Sequence, residues 1–134
     1  MELTEFEGQL NAKVKELFLN SVPRYYEHTL QVVDNMKSIV ARTTQNPILL
    51  LAAAYLHDIG YSAPYEDGYA GNIKDQSVKI KVHSEAGARI AREVLEELGV
   101  EPPLVERVAY LVSVHHREDI DDEELKVLLQ ADKV

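Results

Sequence analysis

The sequence contains no cysteine and no tryptophan, and it has far fewer basic residues than acidic ones. The absence of cysteine excludes a disulfide scaffold, a thiolate zinc site and a cysteine nucleophile. Lys and Arg number 14 against 23 Asp and Glu, which gives a formal net charge of −9. Such a charge argues against a nucleic-acid backbone or an anionic membrane as the main partner. We therefore expect no nucleic-acid partner and no membrane partner.

Segments that would direct the chain into or across a membrane are also lacking. The longest apolar run, Ile48–Leu56, has nine residues, whereas a helix needs roughly 20 to span a bilayer. The N-terminal sequence MELTEFEGQL is acidic and lacks the basic start and apolar stretch of a signal peptide. The 134 residues, 46% of them hydrophobic, have the length of one domain and the apolar content of a real core. We expect one acidic, cytoplasmic domain over residues 1–134.

Apolar residues recur at steps of three and four along most of the chain, which is the spacing of one face of an α-helix. Gly60 and Gly99 are placed to end helices three and four, because glycine favours the left-handed turn at a helix C-terminus. Gly87, inside helix four, indicates close packing. The predicted helices cover residues 3–19, 23–39, 47–57, 84–98 and 102–115, with a sixth that starts within the acidic segment 118–124. The fold class is therefore an all-α, single-domain bundle of about six helices.

Regular helical spacing fails over residues 60–82. Val78, Ile80 and Val82 alternate with lysines, which is a strand pattern, but no other segment offers a partner strand. We therefore expect an extended connection here.

The histidines and two of the aspartates fall at helix ends or on inward-facing stripes. One histidine on an apolar face is more often a hydrogen-bonded core residue than a ligand, whereas a buried carboxylate needs a cation or several donors. Because five helices each contribute such a residue, one metal site would explain them together. Imidazole and carboxylate ligands without thiolate suit iron, manganese, zinc or cobalt. The residues are His28, His57, Asp58, His83, His115, His116 and Asp132.

The ordered set of motifs resembles that of the HD-domain metal-dependent phosphohydrolases. The pair His57–Asp58 in YLHDIG is similar to the signature that names the superfamily, and RYYEHTLQV, HSEAGA, SVHH and LQADKV occur in the family order. The resemblance covers residues 24–134 and implies a helical bundle around a buried metal site. The ligands that it implies for the metal position common to the superfamily are His28, His57, Asp58 and Asp132.

The same resemblance extends to the two-metal branches of the superfamily. His83 and His115 match the additional ligands of those branches, in which Asp58 would bridge both ions and act as the central catalytic residue. The implied cofactor is a pair of divalent ions, iron or manganese first, with zinc, cobalt, nickel and magnesium also compatible. His115 continues the helical stripe of Leu104, Val108 and Leu111, so it is favoured as the ligand over its neighbour. His116 then supports a ligand or contacts substrate, although some relatives use both histidines.

Four basic residues are candidate contacts for substrate phosphate: Lys74, Lys79, Lys81 and Arg117. Surface lysines are more often simply solvated, and Arg117 could equally pair with Glu118 or Asp119. Tyr61 stands where the cyclic-dinucleotide phosphodiesterase branch carries a lysine, and no Gly-Tyr-Pro segment follows His116. That branch is therefore disfavoured.

The resemblance implies hydrolysis of a phosphate ester or anhydride in a nucleotide or another small phosphorylated metabolite, through a metal-activated hydroxide. Diadenosine-tetraphosphate hydrolases share the six-ligand set, so a dinucleotide polyphosphate is a reasonable trial substrate. Mixed-valence di-iron oxygenases of the superfamily use the same ligands and are the alternative. A non-catalytic regulatory module that keeps the metal site is the third hypothesis. The expected partner is the small phosphorylated substrate, and a homodimer stays open.

Overall fold

The computed structural model describes residues 2–42, 46–62 and 75–133, and all of the regular structure in these ranges is helical. In chain order the helices are α1 (Leu3–Leu19), α2 (Arg24–Val40), α3 (Pro47–Leu56), α4 (Gln76–Glu97), α5 (Pro102–Val114) and α6 (Glu123–Asp132), with a 3₁₀ turn at Ile59–Ser62. None of these helices combines the length and the apolar composition that crossing a bilayer requires. The predicted all-α fold is confirmed.

Helix α3 lies at the centre of the bundle because it is apolar on all sides. Every residue from Leu49 to Leu56 is buried, and the helix packs against α1, α2, α5 and α6. The Asn46 side chain caps its start by accepting hydrogen bonds from two backbone N–H groups at 3.0 and 3.3 Å. Pro47 occupies the first helical position, where its missing N–H would have no partner in any case. His57 follows this helix directly, so it is placed at the centre of the bundle.

Helix α4 begins at Gln76 and not at Ser84, so the expected extended connection from Val78 is wrong. The Asp75 carboxylate accepts hydrogen bonds from two N–H groups of the first turn, at 2.9 and 3.4 Å, and so starts the helix early. Val78 and Ile80 remain 45% and 36% exposed. The alternation of apolar and basic residues is therefore a feature of exposed helical turns and not of a strand.

The two glycines expected to take a left-handed conformation behave differently. Gly99 has a φ of +79°, the one positive φ in the described part of the chain, and it ends α4 as predicted. Gly60 lies in the 3₁₀ turn, where a Cβ would be 2.1 Å from the His83 carbonyl oxygen and 2.9 Å from the Gly87 nitrogen. A Cβ on Gly87 would in turn lie 3.0 Å from Val112. Close approach of α4 therefore requires Gly60, and the close packing predicted at Gly87 is confirmed.

Candidate metal centre

The ligands implied by the sequence motifs converge at one place in the bundle, although they come from five parts of the chain. His28 lies on α2, His83 lies on α4 and Asp132 ends α6, whereas the other three directly follow α3 and α5. The side chains of His57, His83 and His115 are at most 2% exposed. The structure thus brings together His28, His57, Asp58, His83, His115 and Asp132.

Asp58 lies at the centre of this cluster, and its two carboxylate oxygens face different pairs of imidazoles. Its Oδ2 lies 3.2 Å from His57 Nε2 and 3.6 Å from His28 Nε2. Its Oδ1 lies 3.3 Å from His115 Nε2 and 3.6 Å from His83 Nε2. This placement would allow one carboxylate to be shared between two cations.

Asp132 completes the group on the Oδ2 side. Its Oδ1 lies 3.0 Å from His28 Nε2 and 3.3 Å from His57 Nε2. The end of α6 is tied to α2 by Asn35, whose amide Nδ2 donates a hydrogen bond of 2.9 Å to the Ala131 carbonyl. Asn35 was not among the predicted site residues, although its position seven residues after His28 places both on one face of α2. Asn35 therefore holds the residue beside Asp132 in place.

Two of the buried imidazoles are fixed in one tautomer by the backbone. His57 Nδ1 donates a hydrogen bond of 2.7 Å to the Ala54 carbonyl, and His115 Nδ1 donates one of 2.7 Å to the Val112 carbonyl. In the neutral rings the Nε2 atoms therefore carry lone pairs, and these lone pairs face the Asp58 oxygens. Nε2 of His57 is a buried atom without a hydrogen-bond partner among the described residues. A cation between the imidazoles and the carboxylates would satisfy both sets of acceptors.

Without a cation, the charge of the carboxylates must be balanced by protons. Burial lowers the pKa of His57, but Asp132 and Asp58 outweigh that effect and raise the pKa to about 10. Burial raises the pKa of Asp58, but the surrounding imidazoles, His115 foremost, hold the pKa well below its usual range. Asp58 is therefore ionised, and a divalent cation would displace the proton from His57.

His116 lies beside the Oδ1 side of Asp58, within a second group of candidate ligands. Nitrogens of His83, His115 and His116 lie within 4.8 Å of one another, and the ring centres of the last two are 3.9 Å apart. Partial burial and the neighbouring imidazoles lower the pKa of His116 to about 4, so the ring is neutral at pH 7. His115 is buried and faces Asp58, whereas His116 is exposed. The preference for His115 as a ligand stays a prediction.

Three helices end at the cluster. His57 and His115 directly follow the last residues of α3 and α5, and Asp132 is the last residue of α6. A helix C-terminus carries a partial negative charge because its last carbonyl groups have no partner within the helix. This electrostatic environment favours cations over anions at the centre of the cluster.

The four basic residues predicted as phosphate contacts have different positions. Lys74 lies outside the described residues. Lys79 and Lys81 lie on the first turns of α4, the former half-buried and the latter exposed, and their role stays a prediction. Arg117 forms two hydrogen bonds with Asp119, of 2.7 and 3.0 Å. Arg117 thus forms the ion pair that was the alternative to a phosphate contact.

One known protein family matches most of the chain, including the residues of the cluster. The HD domain family matches residues 25–134, a range that contains all seven of the histidines and aspartates above. No curated protein and no solved structure matches the chain significantly. Imidazole and carboxylate groups without thiolate are suitable ligands for divalent ions such as those the family binds. The match covers most of the chain and its buried cluster. The chain therefore belongs to the HD domain family, which is part of the superfamily of metal-dependent phosphohydrolases.

Proposed function

We propose that this protein hydrolyses a phosphate ester or anhydride in a nucleotide or another small phosphorylated metabolite, with two bound divalent ions. The observation that carries the proposal is the position of Asp58, whose two oxygens face two separate pairs of imidazoles at 3.2–3.6 Å. Iron and manganese are the ions proposed first, because both accept imidazole and carboxylate ligands. The proposed reaction needs no nucleophilic side chain.

The residues of the cluster would form two ion positions. Bound divalent ions supply charge neutralisation at phosphoryl oxygens and lower the pKa of a water molecule. His57, fixed by its bond to a carbonyl, and Asp132 would hold the first ion together with His28. His83 and His115 would hold the second. Asp58 would contribute to both positions, because its two oxygens face different pairs of imidazoles.

Exposure indicates the side from which substrate would approach. His28 and Asp132 have side chains that are 35% and 29% exposed, and His116 is exposed as well. The remaining ligands lie beneath them in the bundle. Substrate oxygens would therefore reach the ions past these three side chains, and His116 would contact a bound phosphate.

The first prediction concerns the type of reaction. We expect release of phosphate or a nucleoside phosphate from a panel that includes a dinucleotide polyphosphate, with Mn²⁺ or Co²⁺ and without oxygen, because hydrolysis consumes no oxidant. The measurement is product analysis of one panel run anaerobically and in air. Chelated protein is the control and should be inactive.

Other outcomes of that experiment would contradict the proposal. Product that forms only with iron and oxygen, with oxygen consumed in step, would make the protein an oxygenase on the same ligands. Binding of panel members without turnover would make it a regulatory module.

The second prediction concerns stability. We expect the melting temperature to fall by about 10 °C when metal is removed, because ions that bind only the folded state at a hundred times their Kd contribute about 2.7 kcal/mol. Without the ions, the imidazole nitrogens and carboxylate oxygens, 3.0–3.6 Å apart, depend on protons for their charge balance. Differential scanning calorimetry before and after chelation, with metal content verified, makes the measurement. An unchanged melting temperature would mean that the folded state binds no ion in this cluster.

A further inference from the structure

His83 is held in the cluster differently from the other two buried histidines. The Nδ1 atoms of His57 and His115 each lie 2.7 Å from a backbone carbonyl oxygen. Neither ring nitrogen of His83 has a hydrogen-bond partner within the described ranges, although its side chain is only 1% exposed. Contacts other than hydrogen bonds must therefore set the orientation of this ring.

Aromatic stacking supplies such a contact. The ring of Tyr61 stacks on the imidazole of His83, with ring centres 3.7 Å apart and an angle of 23° between the planes. The ring of Tyr25 stacks in turn on Tyr61, at 4.3 Å and 5°. Phe18 packs against Tyr25 with ring centres 6.2 Å apart. A row of rings from α1, α2 and the 3₁₀ turn therefore ends on the face of the His83 imidazole.

Gly60 places Tyr61 in this position. A Cβ on Gly60 would lie 2.7 Å from His83 Nδ1 and 2.1 Å from the His83 carbonyl oxygen, so only a glycine lets the turn approach α4 this closely. The backbone of Gly60 thus blocks one edge of the imidazole, while the ring of the next residue covers a face. Together they restrict rotation of the His83 side chain about its χ angles.

We propose that Tyr61, supported by Tyr25, is a positioning residue that aims His83 at the second ion position. The inference rests on the two-ion site of the proposed function. It also assigns a role to the residue directly after Gly60 in the motif. Loss of the Tyr61 ring should lower the affinity for the second ion by about tenfold or more. This is the usual effect of losing a group that orients a metal ligand. Tyr61 is joined to Asp58 by a backbone hydrogen bond of 3.1 Å, from its N–H to the Asp58 carbonyl. A change of side chain retains this bond, so the affinity of the first ion should be unchanged.

The experiment compares Tyr61→Leu with Tyr61→Phe, which keeps the ring. Each protein is titrated with Co²⁺ under calorimetry and visible absorption, so that the two binding steps are separated. We expect Tyr61→Phe to bind the second ion more tightly than Tyr61→Leu does, and Tyr61→Leu to weaken only the second step. Tyr110→Leu is the matched control, because Tyr110 is 40% exposed on α5, and it should change neither step.

Two further measurements keep the inference testable without a loaded enzyme or a stable Tyr61→Leu protein. In the metal-free state, Tyr61→Leu removes the ring current of Tyr61 and should shift the His83 imidazole C–H resonances in a ¹H–¹³C NMR spectrum. Tyr110→Leu should leave these resonances unchanged. Tyr25→Leu removes the ring that stacks on Tyr61 but keeps the Tyr61 ring on His83. It should therefore weaken the second step less than Tyr61→Leu does.

The results that overturn the inference are separate from those that overturn the proposed function. Equal second-step affinities in Tyr61→Leu and wild type would overturn the positioning role, as would equal weakening of both steps, which would indicate a general structural effect. A wild-type protein that binds one ion at most would overturn the two-ion site itself, before any variant is compared.

Discussion

Replacement of Asp58 by alanine is expected to lower phosphate release about a thousandfold or more and to remove most of the bound metal. Both of its oxygens face imidazoles within 3.6 Å, so the variant would lose a ligand at each of the proposed ion positions. Bound ions contribute several kcal/mol of transition-state stabilisation, and each 1.36 kcal/mol corresponds to a factor of ten in rate. Elemental analysis and a phosphate-release assay on the same preparations measure the two effects.

Two matched variants separate the role of Asp58 from a general loss of charge or stability. His83→Ala should lose one ion and keep the other, because His83 faces only Oδ1 of Asp58. Asp121→Ala removes a carboxylate that is 93% exposed and pairs with Lys126, so metal content and activity should match the wild type. If Asp58→Ala retains two ions, or if it keeps wild-type activity, the bridging role is wrong.

Replacement of Gly60 by alanine is expected to destabilise the protein by at least about 3 kcal/mol, the upper part of the range for overpacking. The added Cβ would meet backbone atoms of α4, the His83 oxygen at 2.1 Å and the Gly87 nitrogen at 2.9 Å. Backbone within a helix cannot move aside as a side chain can, so α4 must shift away from the turn. Such a loss is a large part of the roughly 5–15 kcal/mol that stabilises a typical domain. Urea denaturation of the metal-free protein measures it.

Gly8→Ala is the matched control for Gly60→Ala. Gly8 lies within α1, and among the described residues an added Cβ would meet no atom within 4 Å beyond its chain neighbours and its own helix backbone. Alanine should therefore stabilise the helix by about 0.5–1 kcal/mol. Opposite signs for the two substitutions are the expected result. A Gly60→Ala protein with the wild-type denaturation midpoint would show that the turn and α4 tolerate a wider spacing, and would contradict the close approach.

The destabilisation and the proposed metal site are linked, because the turn directly follows Asp58 and α4 carries His83. A shift of α4 moves His83 relative to Asp58, which lies just before the turn. Compared with the wild type, a Gly60→Ala protein that still folds should therefore lose more affinity for the second ion than for the first. Co²⁺ titration of this variant beside Tyr61→Leu compares the two ways of displacing the same imidazole.

Helix positions could be predicted from the sequence because they depend mainly on local interactions. The apolar run after Pro47 and the side-chain cap at Asn46 specify α3 within ten residues. The left-handed Gly99 likewise needs no distant partner. The period of the apolar residues predicts a start at Ser84, whereas the Asp75 side chain caps the helix and starts it at Gln76, which is also a local signal.

The roles of Arg117 and Gly60 could not be predicted from the neighbouring residues in the sequence. Arg117 was equally consistent with a phosphate contact and an ion pair, and only the structure places its guanidinium against Asp119. Gly60 was expected to matter for its backbone conformation, but it matters because the backbone of another helix passes within contact distance. That distance depends on how α4 packs, which no residue near Gly60 in the sequence reveals.

By itself, the sequence determined the fold class, the order of the helices and the identity of the residues that make up the cluster. Only the tertiary structure decided how those residues face one another: one carboxylate between two pairs of imidazoles, Asn35 against the end of α6, and a tyrosine stacked on His83. Helix formation follows from the chemistry of neighbouring residues. Contacts between residues far apart in the chain, such as His28 and Asp132 at 3.0 Å, follow instead from the packing of whole helices around α3.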